Sequence, residues 1–138
     1  MFMKNPQEVE TVARNCIELF NQRTIEWVDV FYAENVEWFE LPLPSTPFGQ
    51  HGNRTLLRST AQRLLSLFPD RQMKILNLIS EGNRVAMELE WTGTVGANFG
   101  TFKLGSVVKY RVASFLTITE GLIVKQIDYC VPIISGAA

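Results

Sequence analysis

The stretch FLTITEGLIVKQIDYCV, residues 115–131, decides the fold. Apolar and polar side chains alternate on both sides of Glu120-Gly121, the period of two expected of half-buried strands joined by a tight turn. The second strand carries one acid, Asp128, among Ile127, Tyr129, Cys130 and Val131. A carboxylate in so apolar a strand is costly to bury unless it is paired, hydrogen-bonded or kept for chemistry. Parity sets Asp128 on one face with Val124, Gln126 and Cys130, opposite Ile127 and Tyr129. Two readings stand. Asp128 is either a cavity acid poised for proton transfer, or a strand carboxylate that faces solvent or pairs with Arg111 or Lys109 across the hairpin.

Working outward, Met73 to Ser80 and Arg84 to Thr94 read as strands joined at Glu81-Gly82-Asn83, and a glycine-rich link leads into Val107 to Thr119. Before Arg71 the period changes. Val9, Val12, Ala13, Cys16, Ile17 and Phe20 recur at helical spacing from Pro6, with Asn5 placed to cap and Glu8 to complete a capping box. Thr24 precedes a short second helix marked by Ile25, Val28, Phe31 and Tyr32, which folds back on the first as a hairpin. Asn35 to Leu41 reads as a strand with Val36, Trp38 and Glu40 on one face. Prolines 42, 44 and 47 then impose a loop whose Leu43 and Phe48 are expected to find packing partners. A third helix is predicted from about Asn53 to Phe68, stopped by Pro69-Asp70. The order is helix, helix, strand, helix, then four antiparallel strands, an α+β plan with helices on one face of a curved sheet.

The 138 residues fit one domain over 1–138, and a composition of 46% hydrophobic and 20% charged residues is globular. With a formal net charge of −1 and no clustering of either sign, nothing points to nucleic acid or an anionic membrane surface. No apolar run approaches the ~20 residues that span a bilayer. The polar N-terminus lacks the core of a signal peptide, and Cys16 and Cys130 make no disulfide framework, so a reduced, cytoplasmic setting is expected. One histidine and no Cys/His cluster predict no metal site.

Among other candidates, Glu40 lies beside Trp38 just before the proline-rich loop, as a desolvated base or a solvated strand end. Glu88 and Glu90 share a strand face, where solvent exposure competes with a polar role for Glu90. His51, in Gly49-Gln50-His51-Gly52, suits proton transfer by its ordinary pKa, yet its flexible neighbours suggest an exposed loop tip. Cys16, Trp27, Phe31, Trp38, Gln126 and Cys130 are candidate ligand-contacting residues, with plain core packing as the alternative.

This order of elements, with YAENVEWFE after the helical hairpin and FLTITEGLIVKQIDYC at the end, resembles the nuclear transport factor 2-like superfamily. Its members include SnoaL-like polyketide cyclases, limonene epoxide hydrolase and ketosteroid isomerase. The resemblance implies a cone-shaped curved antiparallel sheet around three N-terminal helices, a small-molecule pocket at the open end and dimers packed through their sheets. It also implies that Asp128, in QIDYC, is the acid/base of the cyclases. The hydrolase pattern puts Glu90 in place of an Asp, but Glu88 in place of an Arg whose guanidinium it cannot replace. The isomerase pattern, matched at Gln7-Glu8-Val9 and Ile17-Glu18-Leu19, puts its base on Glu40 but its oxyanion tyrosine on Cys16. The expectation is an enzyme acting by general acid/base proton transfer on a small hydrophobic carbonyl compound, with Asp128 principal, Glu40, Glu90 or His51 assisting, and no cofactor. The alternative is a non-catalytic domain of the same fold that binds a hydrophobic ligand or a partner.

Overall fold

The computed structural model describes residues 6–98, 100 and 102–133. Helix α1 runs Pro6–Phe20 and buries Val9, Val12, Ala13, Cys16 and Phe20, the stripe its spacing requires. The Asn5 cap expected for it lies outside the described residues. Helix α2, Glu26–Phe31, starts where the Thr24 hydroxyl accepts the Glu26 N–H at 3.0 Å, and α1 packs against it. At Tyr32 the backbone turns extended (φ −113°, ψ 135°), so Tyr32 opens strand β1 (Tyr32–Glu40) instead of closing the helix.

The proline-rich loop makes a tight turn closed by the paired backbone bonds of Leu43 and Thr46. Leu43 tucks inward, but Phe48 is 97% exposed and packs on nothing, contrary to the expectation for it. A short strand β2, Gln50–Gly52, follows where a plain loop was expected. Helix α3, Arg54–Leu67, is capped by Asn53, whose side chain accepts the Thr55 N–H, and ends just before Pro69.

Strands β3 (Gln72–Glu81), β4 (Arg84–Thr94), β5 (Val107–Thr119) and β6 (Leu122–Pro132) form an antiparallel meander. The six-stranded sheet has the order β2-β1-β6-β5-β4-β3 and is curved and unclosed. Its single parallel pair joins β1 to β6, because the chain returns to β1 only after a long excursion through β2, α3 and the strands β3 to β5. The helices cover the concave face; α1 lies on β3 and β4, and α3 on β1 and β2. No helix among the described residues is long and apolar enough to cross a membrane.

One irregularity in the last hairpin decides which side chain faces Asp128. The β5–β6 register runs Thr119↔Leu122 and Ile118↔Ile123, then jumps to Thr117↔Lys125. Val124 is the extra residue of a bulge, so Ile123 and Gln126 both point inward and Val124 does not share the Asp128 face as simple parity predicts. Downstream of the jump, Ser114 stands opposite Asp128.

Candidate active site

Between the concave face and the helices lies a cavity of about 220 Å³. Its walls come from both layers: Cys16 and Trp27 from the helical hairpin, Leu57 and Leu64 from α3, and Met87, Leu89 and Val112 from the sheet. Two carboxyl groups reach it, Asp128 from β6 and Glu40 from the end of β1, at paired positions on neighbouring strands. The pairing comes from the parallel β1–β6 register, which also sets Trp38 beside Gln126.

The Asp128 side chain is buried, and among the described residues no cation pairs with it. Its carboxylate accepts the Ser114 hydroxyl at 2.5 Å, the Trp38 indole N–H at 2.9 Å, and the Gln126 amide N–H₂ at 3.0 and 2.9 Å to its two oxygens. The partners foreseen across the hairpin are elsewhere: Arg111 stands opposite Val131 and pairs with Glu88 at 3.1 Å, and the Lys109 carbonyl accepts the Ile133 N–H. Alternation explains this, since Lys109 and Arg111 stand on the outward-facing side of β5 with Phe115, whereas Ser114 and Asp128 face inward. Burial pushes the Asp128 carboxyl above its ordinary range, and the bonds from Ser114, Trp38 and Gln126 pull only part of the way back.

Gln126 is itself held. Its carbonyl accepts the Tyr32 hydroxyl at 2.6 Å, which fixes the amide so that its N–H₂ faces Asp128. The Tyr32 hydroxyl in turn hydrogen-bonds the Cys16 thiol, so a polar chain runs from α1 through β1 to the carboxylate. Burial pushes the Cys16 thiol up to about 12 and the Cys130 thiol higher still, so both stay protonated and unreactive at neutral pH.

Glu40 accepts the Gln50 amide N–H at 3.0 Å and, more weakly, the Thr46 hydroxyl at 3.5 Å. Burial raises its carboxyl, and the negative charge of Asp128 raises it further. Tyr110 adds a phenol to the wall, raised by burial as well.

Other sequence candidates lie elsewhere. Glu90 is on the outer face of the sheet, between Lys74 and Arg111, because alternation along β4 turns Leu89 and Trp91 inward instead. His51 is exposed on β2, stacked on Phe39 at 4.1 Å on the side away from the cavity, as its pairing with an outward β1 position dictates. Phe31 packs against the core without lining the cavity. Cys16, Trp27, Trp38, Gln126 and Cys130 do line it.

Several lining residues were not singled out by the sequence, among them Tyr32, Ser114 and Arg71. Tyr32 reads there as the tail of a helix, and Ser114 faces Asp128 only through the bulge. Arg71, beside a Pro-Asp turn, looks like an exposed basic residue, yet it is 1% exposed. Among the described residues no group of three or more His, Cys, Asp and Glu side chains is placed to hold a metal ion.

The fold is an unclosed α+β sheet curled over helices, with Asp128 and Glu40 at an inner cavity, and comparison gives it a family. The chain matches the SnoaL-like domain over residues 13–126 and belongs to that family. Solved structures share the fold at low identity. AclR, a proposed hydroxylase from Streptomyces galilaeus, superposes with a TM-score of 0.78 at 16% identity, over 91% of this chain and 80% of its own. IdmH, a proposed polyketide cyclase from Streptomyces antibioticus, gives 0.76 at 19%, over 88% and 91%. A proposed ketosteroid isomerase from Kribbella flavida gives 0.66 at 20%, over 99% and 87%. No curated protein matches the chain in sequence.

Proposed function

We propose that the chain is a cyclase- or isomerase-type enzyme that moves a proton on a small hydrophobic carbonyl compound, with Asp128 as the base and Glu40 as the acid. One observation carries this reading: Asp128 is buried at the cavity wall with three neutral donors and, among the described residues, no cation paired with it. An ion pair would hold the carboxylate permanently charged and weakly basic, whereas neutral donors in an apolar wall orient it and leave its basicity high. Both carboxyls titrate above their ordinary range, toward neutrality, where a proton-transfer group works best. Asp128 has the better donor set and suits the anion; Glu40, with weaker donors and a negative neighbour, suits the protonated partner.

In the reaction, Asp128 takes the proton from the carbon beside the carbonyl; the C–H electron pair moves into the carbonyl, giving an enolate. The enolate carbon then attacks a second carbonyl in the same molecule and the new alkoxide takes the Glu40 proton, which closes a ring. In the isomerase variant the proton returns to a different carbon.

The test is hydrogen–deuterium exchange at the carbon beside the carbonyl of 1-indanone in D₂O, followed by NMR. The wild type is expected to exchange faster than buffer, and Asp128→Asn to lose on the order of 10²-fold of that rate. Equal exchange by the two proteins would favour a non-catalytic binding domain instead. That second reading draws on one fact, that three side chains already occupy the carboxylate.

The partner expected at the sheet is a second copy of this chain, and that too is a proposal. Across the outer face Ile79, Ala86, Phe115 and Ile127 form one register row, with Phe115 50% and Ile79 72% exposed. An apolar row of this kind favours an isologous contact.

A further inference from the structure

Two buried side-chain N–H groups in the cavity wall have no hydrogen-bond partner among the described residues: Trp27 Nε1 and Arg71 Nε. They lie around one ring, the Trp27 indole meeting Phe20 edge-on at 5.3 Å and the Arg71 guanidinium lying over the same ring at 3.9 Å. Orphaned buried donors are rare, because each forfeits its water without replacement. Two of them around one aromatic ring point to a missing acceptor.

Arg71 also carries a charge that no described carboxylate balances by an ion pair. Its Nη1 donates to the Phe20 carbonyl and its Nη2 to the Thr24 carbonyl, both at 3.0 Å. Among the described residues no carboxylate pairs with it; their ion pairs belong to Arg54, Arg58 and Arg111. The Phe20 carbonyl is at the C-terminal end of α1, where the helix dipole supplies a fraction of a negative charge, not a whole one. Arginine does not lose its proton to escape burial, so the cost stays until an anion arrives. The position is also rigid. Asn21 clamps β3 next to it, donating to the Met73 carbonyl at 2.8 Å and accepting the Met73 N–H at 2.7 Å. A fixed, desolvated guanidinium with a free N–H is built to bind an oxyanion.

We propose that Arg71 and Trp27 form a carboxylate-binding subsite at the helical-hairpin end of the cavity, so that the ligand is an apolar acid whose carboxylate docks there and whose body extends along the walls toward Asp128. This rests on the reading of the cavity as the substrate site and narrows its substrate to the class of hydrophobic keto acids.

The probes are 2-naphthoate and its neutral isostere 2-acetylnaphthalene, titrated into the intact protein and followed calorimetrically. The wild type is expected to bind the acid about tenfold or more tightly than the ketone, a difference of roughly 1.4 kcal/mol. Arg71→Met is expected to abolish that preference and Arg71→Lys to retain part of it. Trp27→Phe, which keeps an aromatic ring and removes the N–H, is expected to weaken the acid several-fold and leave the ketone unchanged. Should Arg71→Met fail to fold, the wild-type comparison and Trp27→Phe still decide. Equal affinity of wild type for both probes overturns the subsite, as does an acid preference untouched by Trp27→Phe and Arg71→Lys alike. Asp128→Asn is expected to keep the acid preference. An acid preference in a protein that exchanges no ketone protons would therefore remove the catalytic reading and leave the subsite standing.

Discussion

A carboxylate held only by neutral donors ties its charge state to the integrity of those donors. Removing the Ser114 hydroxyl takes away the leading bond that favours the ionised form, so Ser114→Ala should move the Asp128 carboxyl further up. The check is the pH at which the labelled Asp128 carboxyl carbon titrates by NMR; an unchanged or lower midpoint would contradict it. The stability consequence has a defined sign. Asp128 and Glu40 both have folded pKa values raised above the unfolded ones, so what each contributes is fully present below the unfolded value and is lost as pH rises through the folded one. Asp128→Asn removes one of these losses. Its carboxamide can keep an oxygen for Trp38 and Gln126 and turn its N–H₂ to Ser114, whose hydroxyl can accept as well as donate. Its Tm relative to wild type should therefore climb as pH rises from about 4. A gap that shrinks with pH would mean that the native protein stabilises the ionised acid after all.

The hairpin that carries Asp128 turns on two left-handed residues, Glu120 at φ 52° and Gly121 at φ 80°. That is the backbone of a type I′ turn, which wants Asn-Gly; glutamate holds the first position under strain. Glu120→Asn is expected to stabilise by on the order of 0.5–1 kcal/mol, roughly 2–4 °C in Tm. Ketone exchange should not change, since the turn lies beyond the bulge from the cavity. The mouth of the cavity depends on another turn. Gly49 sits at φ 71°, and a Cβ there would come within 2.5 Å of the Glu40 carbonyl. Gly49→Ala should thus move the end of β1 and slow exchange without touching Asp128, and a variant as active as wild type would mean that the Glu40 position is not needed. The elements themselves were legible from pattern: the α1 stripe, the β3–β6 meander and the Glu120-Gly121 turn appear where period and turn residues put them. Tyr32 was not, because a chain leaving a short helix directly into a strand carries no sequence punctuation, and neither was β2, whose three residues are too few to show a period.

For the whole molecule, the outer face of the sheet is the surface left to explain. If two copies pack through the row of Ile79, Phe115 and Ile127, Phe115→Lys should turn a dimer into a monomer in sedimentation equilibrium at micromolar concentration, with its α-helix and sheet signals unchanged. A wild-type protein that sediments as a monomer would remove the proposal. The cavity on the other face depends on packing between layers far apart in the chain. Cys16, Trp38, Leu57, Arg71 and Asp128 become neighbours of one space only when the sheet curls over α1 and α3.

Local pattern carried the α+β order, the family pattern, a lone acid in the apolar last strand and the face shared by Trp38 and Glu40, because periodicity reports which residues share a side of an element; whether that acid is buried it left open. Tertiary structure alone decided that Glu90 and His51 face away from the cavity, that Ser114, Trp38 and Gln126 surround Asp128, and that Arg71 lies buried without an anion. Each of these depends on a register, a bulge or an inter-layer contact, and a single residue of slip, invisible in local pattern, exchanges one set of neighbours for another.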